Sequence, residues 1–211
     1  MIKISYAITV CNEHREIERL LHLLSFYIRK EDEVIVQCDK GNTTLDVYNV
    51  LKKYDFIKVI EYALNGNFAD FKNNLNNNCS GDWIFQIDAD EKPDVELITN
   101  LPTILQENSD TIDALWVARK NTVFDITSEH IQKWGWRVDE YGYINYPDYQ
   151  MRIYKNRDSI KWIHSVHEQL AGFKAFTKLP DDYSNLCLWH PKDIDKQEKQ
   201  NKFYETITRT R

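Results

Sequence analysis

Three carboxylates close a short apolar run in the stretch from Gly81 to Pro93, GDWIFQIDADEKP. Trp83, Ile84, Phe85 and Ile87 form the run, which reads as a strand buried on both faces. Asp88 and Asp90 are two positions apart, so an extended chain points them the same way. Carboxylates at the end of a buried strand are costly unless a positive charge sits beside them. Hard oxygen ligands at this spacing suit Mg²⁺ or Mn²⁺. The same residues read equally as a solvated acidic turn, with Asp94 as the N-cap of the helix VELITNLPTIL. The elements that position them decide between the two.

The chain has 211 residues, enough for one large domain or one domain with an appendage. A hydrophobic content of 42% supports a real core, and 13% aromatic is high. Trp and Tyr offer a flat apolar face with a polar edge, suited to sugars or nucleobases as well as to core packing. A net charge of −6 without a long basic run argues against nucleic acid as a partner. It leaves room for an anionic small substrate held by a few basic groups and a metal. Cys11, Cys38, Cys79 and Cys187 show no CxxC spacing and read as reduced thiols of a cytoplasmic protein. The N-terminus lacks the basic start and cleavage site of a signal peptide, and no stretch approaches the ~20 apolar residues of a membrane span. A soluble protein is expected, compatible with peripheral membrane contact.

Strands are expected at Ile2 to Val10, Glu33 to Cys38, Ile57 to Tyr62, Trp83 to Ile87 and Ile112 to Ala118. Between them, helical spacing marks HREIERLLHLLSFYIRK, LDVYNVLKKY with Thr43 or Thr44 as cap, Asn67 to Asn78, and VELITNLPTIL, with a disturbance at Pro102. Such alternation implies an α/β fold with a mainly parallel sheet flanked by helices. Asn121 to Asp148, rich in Trp and Tyr, reads as a long loop with a short helix. Tyr149 to Tyr154 and Ile160 to Ile163 read as a hairpin, a small antiparallel region in the C-terminal half. LCLW reads as a strand ending at His190-Pro191, and a charged helix runs from about Ile194 to the end. That ending suggests the first part of a longer protein. Residues 1–120 form the alternating half of the expected domain, and 121–211 the other half with its C-terminal helix.

In parallel sheets ligands sit beyond the carboxyl ends of the strands. Asn12-Glu13, Asp39 and Asp88-Ala89-Asp90 all fall there. Neither GxGxxG nor GxxxxGK[ST] occurs, so the rim is neither a dinucleotide fingerprint nor a P-loop.

At this point the chain resembles a family 2 glycosyltransferase of the GT-A fold, in its bacterial and viral branch. Ala7-Ile8-Thr9-Val10-Cys11-Asn12-Glu13 resembles that family's first strand and nucleotide-binding turn. Asp39 stands where the second strand ends in an acidic residue, and Phe68 to Asn73 resembles the helix before the metal strand. Asp88-Ala89-Asp90-Glu91 matches the DxD motif. Arg152 to Asn156, Val166 to Leu170 and His190 before a Lys-rich helix complete the likeness. The second strand, VQCDKGNTT, departs from it in lacking a pair of acidic residues, and the segment after Lys120 matches nothing in it.

The resemblance implies a metal-dependent, inverting transfer of a hexose from a nucleotide diphosphate sugar, a UDP-sugar first, to a saccharide or lipid-linked saccharide. Asp90 is then the first metal ligand, Asp88 a second or a ribose partner, and His190 a third. The resemblance also makes 1–120 the nucleotide-sugar-binding half and 121–211 the acceptor-binding half, and Thr9, Val10, Cys11, Asn12, Glu13, Asp39, Lys72, Asp88, Ala89 and Asp90 would line the donor. Asp39 would accept from uracil, or close an Asx turn before Gly41. Glu168, in VHEQL between Val166 and Leu170, is the expected base, with Asp148 in reserve. Arg152 and Lys155 are candidates to pair with phosphate or site carboxylates, and Trp134 and Trp136 to stack on an acceptor sugar. Two other readings stand beside this one: a sugar-nucleotide-forming nucleotidyltransferase, and a non-catalytic carbohydrate-binding domain of the same fold.

Overall fold

The computed structural model describes residues 2–182, 185–195 and 197–198. Its first half alternates β1 (Ile4–Val10), α1 (His14–Tyr27), β2 (Glu33–Asp39), α2 (Leu45–Leu51), β3 (Ile57–Tyr62), α3 (Phe68–Asn76) and β4 (Trp83–Asp88). The second half holds β5 (Lys92–Pro93), α4 (Val95–Asn108), β6 (Ala114–Phe124), α5 (Ser128–Trp134), β7 (Ile144–Lys155), β8 (Lys161–Ile163), β9 (Gln169–Ala171), β10 (Phe176–Lys178) and β11 (Cys187–Asp193). The main sheet runs β3-β2-β1-β4-β7-β6-β11-β5, with β10 beside β6. Its first four strands are parallel, and β7 lies antiparallel between β4 and β6.

Strand alternation sorts side chains into two cores. Ile4, Tyr6, Ile8, Trp83, Phe85 and Ile87 face α1, α2 and α4. Ala7, Ile35 and Ile84 face α3 and the small β8–β9 sheet. Helix α1 buries Ile17, Leu20, Leu21 and Leu24, each worth about 1.5–3 kcal/mol of hydrophobic stabilisation. That outweighs any local propensity. Asp88 shares the face of Ile84, so it emerges on the α3 side of the sheet. Gly81 sets the entry to β4: a Cβ there would lie 2.7 Å from Ser5 N, so only glycine lets β4 seat against β1.

Several expectations change. Tyr149 to Tyr154 and Ile160 to Ile163 do not pair: β7 joins the main sheet, and β8 pairs with β9. The residues between them are committed elsewhere, Asn156 donating to Cys79 O and Gly81 O, and Arg157 pairing with Asp113. The fifth strand of the pattern, β6, runs on to Phe124 and is separated from β4 by β7. The aromatic segment after Lys120 is mostly regular. β6 crosses its start, α5 opens on a capping box between Thr127 and His130, and β7 begins at Ile144. Strand β11 passes through His190-Pro191 to Asp193. Pro191 is tolerated because β5 pairs with Leu188 and Trp189, and among the described residues no ladder follows on that edge beyond them. Helix α4 continues through Pro102. Thr44 occupies the N-cap of α2 without a side-chain cap bond. Of the expected terminal helix, Ile194, Asp195, Gln197 and Glu198 are helical, and the remainder lies outside the described residues. No helix among the described residues is long and apolar enough to cross a membrane.

Candidate active site

The ends of β1, β2 and β4 meet in a cavity of about 300 Å³, lined by Thr9, Val10, Cys11, Glu13 and Asp39, with Asp88, Ala89 and Asp90 across from them. Asn12 is exposed, and its backbone N–H, like that of Cys11, donates to Glu13 Oε2 at 3.0 Å. Glu13 therefore holds its own turn. The Asp39 side chain is buried and accepts from Leu64 N and Asn42 Nδ2, both at 2.9 Å. The backbone N–H groups of Asn42 and Thr43 bond to the Asp39 carbonyl, so the main chain itself closes this turn.

A second cavity, about 590 Å³, lies on the other side of β4's tip and is walled by Trp116, Arg119, Met151, Arg152 and Trp162. The two cavities share Lys72, Asp88, Asp90 and Glu168. Lys72 is buried, stacks 4.7 Å above the Trp162 ring, and pairs with Glu168 at 2.8 Å and Asp88 at 3.7 Å. Glu168 thus stands beside a lysine ammonium, with Val166 and Leu170 lining the same cavities. Three hydrogen bonds fix this geometry. Phe68 N, at the start of α3, donates to Ser165 O at 2.9 Å. Asn73 both donates to Trp162 O and accepts from Trp162 N, at 2.8 and 2.9 Å.

Behind the shared wall runs a circuit of polar groups. Arg152 Nη2 donates to Asp88 Oδ2 and to Glu91 Oε1, both at 2.6 Å. Arg119 Nη1 donates to Glu91 Oε1 at 2.9 Å, while its Nε and Nη2 donate to Asp148 Oδ2 at 2.9 and 2.6 Å. Asn121 Nδ2 donates to Asp148 Oδ2 at 2.8 Å, and Gln150 Nε2 donates to Asp148 Oδ1 at 2.7 Å. His190 Nδ1 lies 2.7 Å from Asn121 Oδ1, and its Nε2 lies 3.4 Å from Asp90 Oδ2. The circuit begins at Asp88 and ends at Asp90, so it closes through Ala89. Burial works against the Asp88 charge, but Arg152 and Lys72 hold its carboxyl well below the usual range. Asp148 is likewise held down by Arg119 against its burial. Burial pushes the His190 ring down, against the pull of Asp90.

Asp148 is therefore the counterion of Arg119, with both oxygens hydrogen-bonded. Asp88 is engaged by Arg152 and by Thr9 Oγ1, which donates at 3.0 Å. Asp90 and His190 approach each other, but no three metal-ligating side chains converge among the described residues. Arg152 pairs with site carboxylates, whereas Lys155 pairs with Asp113 outside the site. A third cavity of about 390 Å³ joins His190 and Arg119 to Trp136, on which Trp134 packs at 4.6 Å. Sequence reasoning missed Glu91, Arg119 and Asn121. The two-residue step from Arg119 to Asn121 on a strand was the available signal.

A parallel sheet whose strand tips form one rim, extended by the antiparallel β7, defines the GT-A class. The chain matches the Glycosyl transferase family 2 model over residues 5–179. It belongs to that family. No curated protein matches it. The fold is similar to S. aureus TarS residues 1–349 in complex with UDP (TM-score 0.62, 16% identity, 90% of this chain and 60% of that one). The same fragment in complex with UDP-GlcNAc gives a TM-score of 0.60 at 17% identity, covering 90% of this chain and 59% of that one. The chain thus spans about 60% of the TarS fragment's length.

Proposed function

We propose that this domain transfers a hexose, with inversion, from a nucleotide diphosphate sugar to a hydroxyl of a saccharide or lipid-linked saccharide. The observation that carries the reading is that Lys72 and Glu168 stand on the wall shared by two cavities at the strand-tip rim. The smaller cavity takes the nucleotide and the larger takes the acceptor. The UDP and UDP-GlcNAc bound by TarS favour a uridine donor here as well.

The donor set suits a divalent cation. The circuit holds four carboxylates, Asp88, Asp90, Glu91 and Asp148, against two guanidinium groups, while Lys72 and Glu168 neutralise each other. Even with Lys192 in the same cavity, the cluster lacks positive charge. Asp90 and His190 would hold Mn²⁺ or Mg²⁺, the remaining ligands coming from phosphate and water. Such an ion neutralises charge building on the departing diphosphate. Asp88 acts beside it as the counterion of Arg152.

Glu168 Oε1 receives the acceptor's proton. Lys72 Nζ orients that carboxylate, and an arriving diphosphate gives Lys72 a second anion to contact. Asp39 and Glu13 order the turns against which the nucleoside lies, and Trp162 walls the acceptor side.

The test is transfer or hydrolysis of UDP-sugars by the purified protein with Mn²⁺ or Mg²⁺. Asp90→Ala is expected to abolish turnover. Glu168→Gln is expected to retain UDP binding while kcat falls about 10²–10⁴-fold, the range for loss of a general base. Turnover that ignores metal in Asp90→Ala would sink the metal assignment, and near-normal transfer by Glu168→Gln would remove the base from Glu168.

A further inference from the structure

The hydrogen-bond circuit dictates which nitrogen of His190 carries the proton. Asp148 receives two donors from Arg119 on one oxygen and is held ionised, so it can only accept. The Asn121 atom 2.8 Å from it must then be the amide nitrogen. This turns the Asn121 carbonyl oxygen toward His190, and that oxygen also only accepts. At 2.7 Å the intervening proton belongs to His190 Nδ1. In the neutral ring Nε2 is left with its lone pair directed at Asp90 Oδ2, 3.4 Å away.

We propose that Asn121, oriented by Asp148 and Arg119, is a positioning residue that locks His190 in its Nδ1–H tautomer and so presents Nε2 to the same point as Asp90. Two lone-pair groups facing each other across 3.4 Å are stable together when a cation lies between them. Asp148 thereby acquires a role as the end of a relay. The tautomer follows from the hydrogen-bond geometry and the Arg119–Asp148 ion pair, whereas its consequence for metal affinity rests on the function proposed above. An outer partner of this kind typically contributes 10–100-fold to metal affinity.

The experiment uses the whole chain with ¹⁵N-labelled histidine, His190 being identified by comparison with His190→Gln. Long-range ¹H–¹⁵N spectra above about pH 8, where the ring is neutral, are expected to show the Nδ1–H tautomer in the wild type. Asn121→Ala is expected to move the ring to the Nε2–H form or to a mixture. Calorimetric titration of the metal-free protein with MnCl₂ should show its Kd raised about 10–100-fold by the same change. Asn121→Asp keeps an acceptor facing Nδ1 and is expected to retain the Nδ1–H tautomer that Asn121→Ala loses, a difference a purely packing role would not produce. An Nε2–H wild type overturns the proposal, as does an Asn121→Ala protein with unchanged tautomer and unchanged Mn²⁺ affinity. A wild type that shows the Nδ1–H form yet binds no Mn²⁺ supports the tautomer lock and overturns the metal reading instead.

Discussion

Replacing Arg152 by Met strands two charges at once. The guanidinium is 4% exposed and reaches both Asp88 and Glu91 at 2.6 Å. Without it, Glu91 at 1% exposure keeps Arg119 and the Asp88 backbone N–H at 3.3 Å, and Asp88 keeps Thr9 and the more distant Lys72. Met fills most of the volume, so the loss is electrostatic rather than a cavity. Removing one partner of a buried ion pair costs about 3–5 kcal/mol, because the other charge stays buried and uncompensated. At roughly 2–4 °C per kcal/mol for a chain of this size, Arg152→Met should melt about 6–20 °C below the wild type. Urea unfolding followed by the fluorescence of the six tryptophans gives the free energy directly. Adding Glu91→Gln to Arg152→Met neutralises one stranded carboxylate and should recover a measurable part of the loss. An Arg152→Met protein within about 1 kcal/mol of wild type would refute the reasoning, since the buried Glu91 would then have lost one of its two guanidinium partners at almost no cost.

Two further outcomes can be checked with the same unfolding assay. Asp113 accepts from Lys174 N and Ala175 N and pairs with Lys155 and Arg157, and its carboxyl is held down at about 2. A lowered folded pKa stabilises above the unfolded value of about 4 and is lost as pH falls toward the folded value. The urea midpoints of wild type and Asp113→Asn should therefore converge as pH drops from about 4 to about 2. A gap that stays constant across that window would refute the pairing. Gly172 follows β9 at φ +86, and a Cβ there would lie 1.7 Å from Ser159 O. Gly172→Ala should cost at least about 1–3 kcal/mol from backbone strain alone. An unchanged urea midpoint would show that the Ser159 turn yields freely.

The parallel half of the sheet was legible because its signals are local. Ile35 and Val36 in β2, or Ile84 and Phe85 in β4, form apolar runs closed by Gly, Asn or Asp, and both core faces need such runs. Strand partners are different, because pairing is non-local. Nothing in YQMRIY says that it will enter between β4 and β6 rather than fold back on IKWI. Glu91 looked like one more acid in a solvated turn. It is buried because Arg119 and Arg152, 28 and 61 residues downstream, converge on it. Arg119 and Asn121 lie past Ala118, where the apolar pattern stops, although β6 continues. Asp148 and Glu168 were indistinguishable by residue type alone. Only the three-dimensional neighbours separate a carboxylate tied to an arginine from one standing between two cavities.

The reciprocal bonds between Asn73 and Trp162 also bear on solubility. Strand β8 pairs with β9 on one side only, and its other side would present an open backbone edge. Asn73 supplies Trp162 with both the donor and the acceptor that a third strand would have brought. A helix side chain thus ends the small sheet, and a second chain finds the central residue of that edge already occupied. The hairpin leading from Glu168 into β9 is in this way kept from strand-by-strand growth. An Asn73 lost to substitution would expose an aggregation-competent edge beside the wall shared by the two cavities.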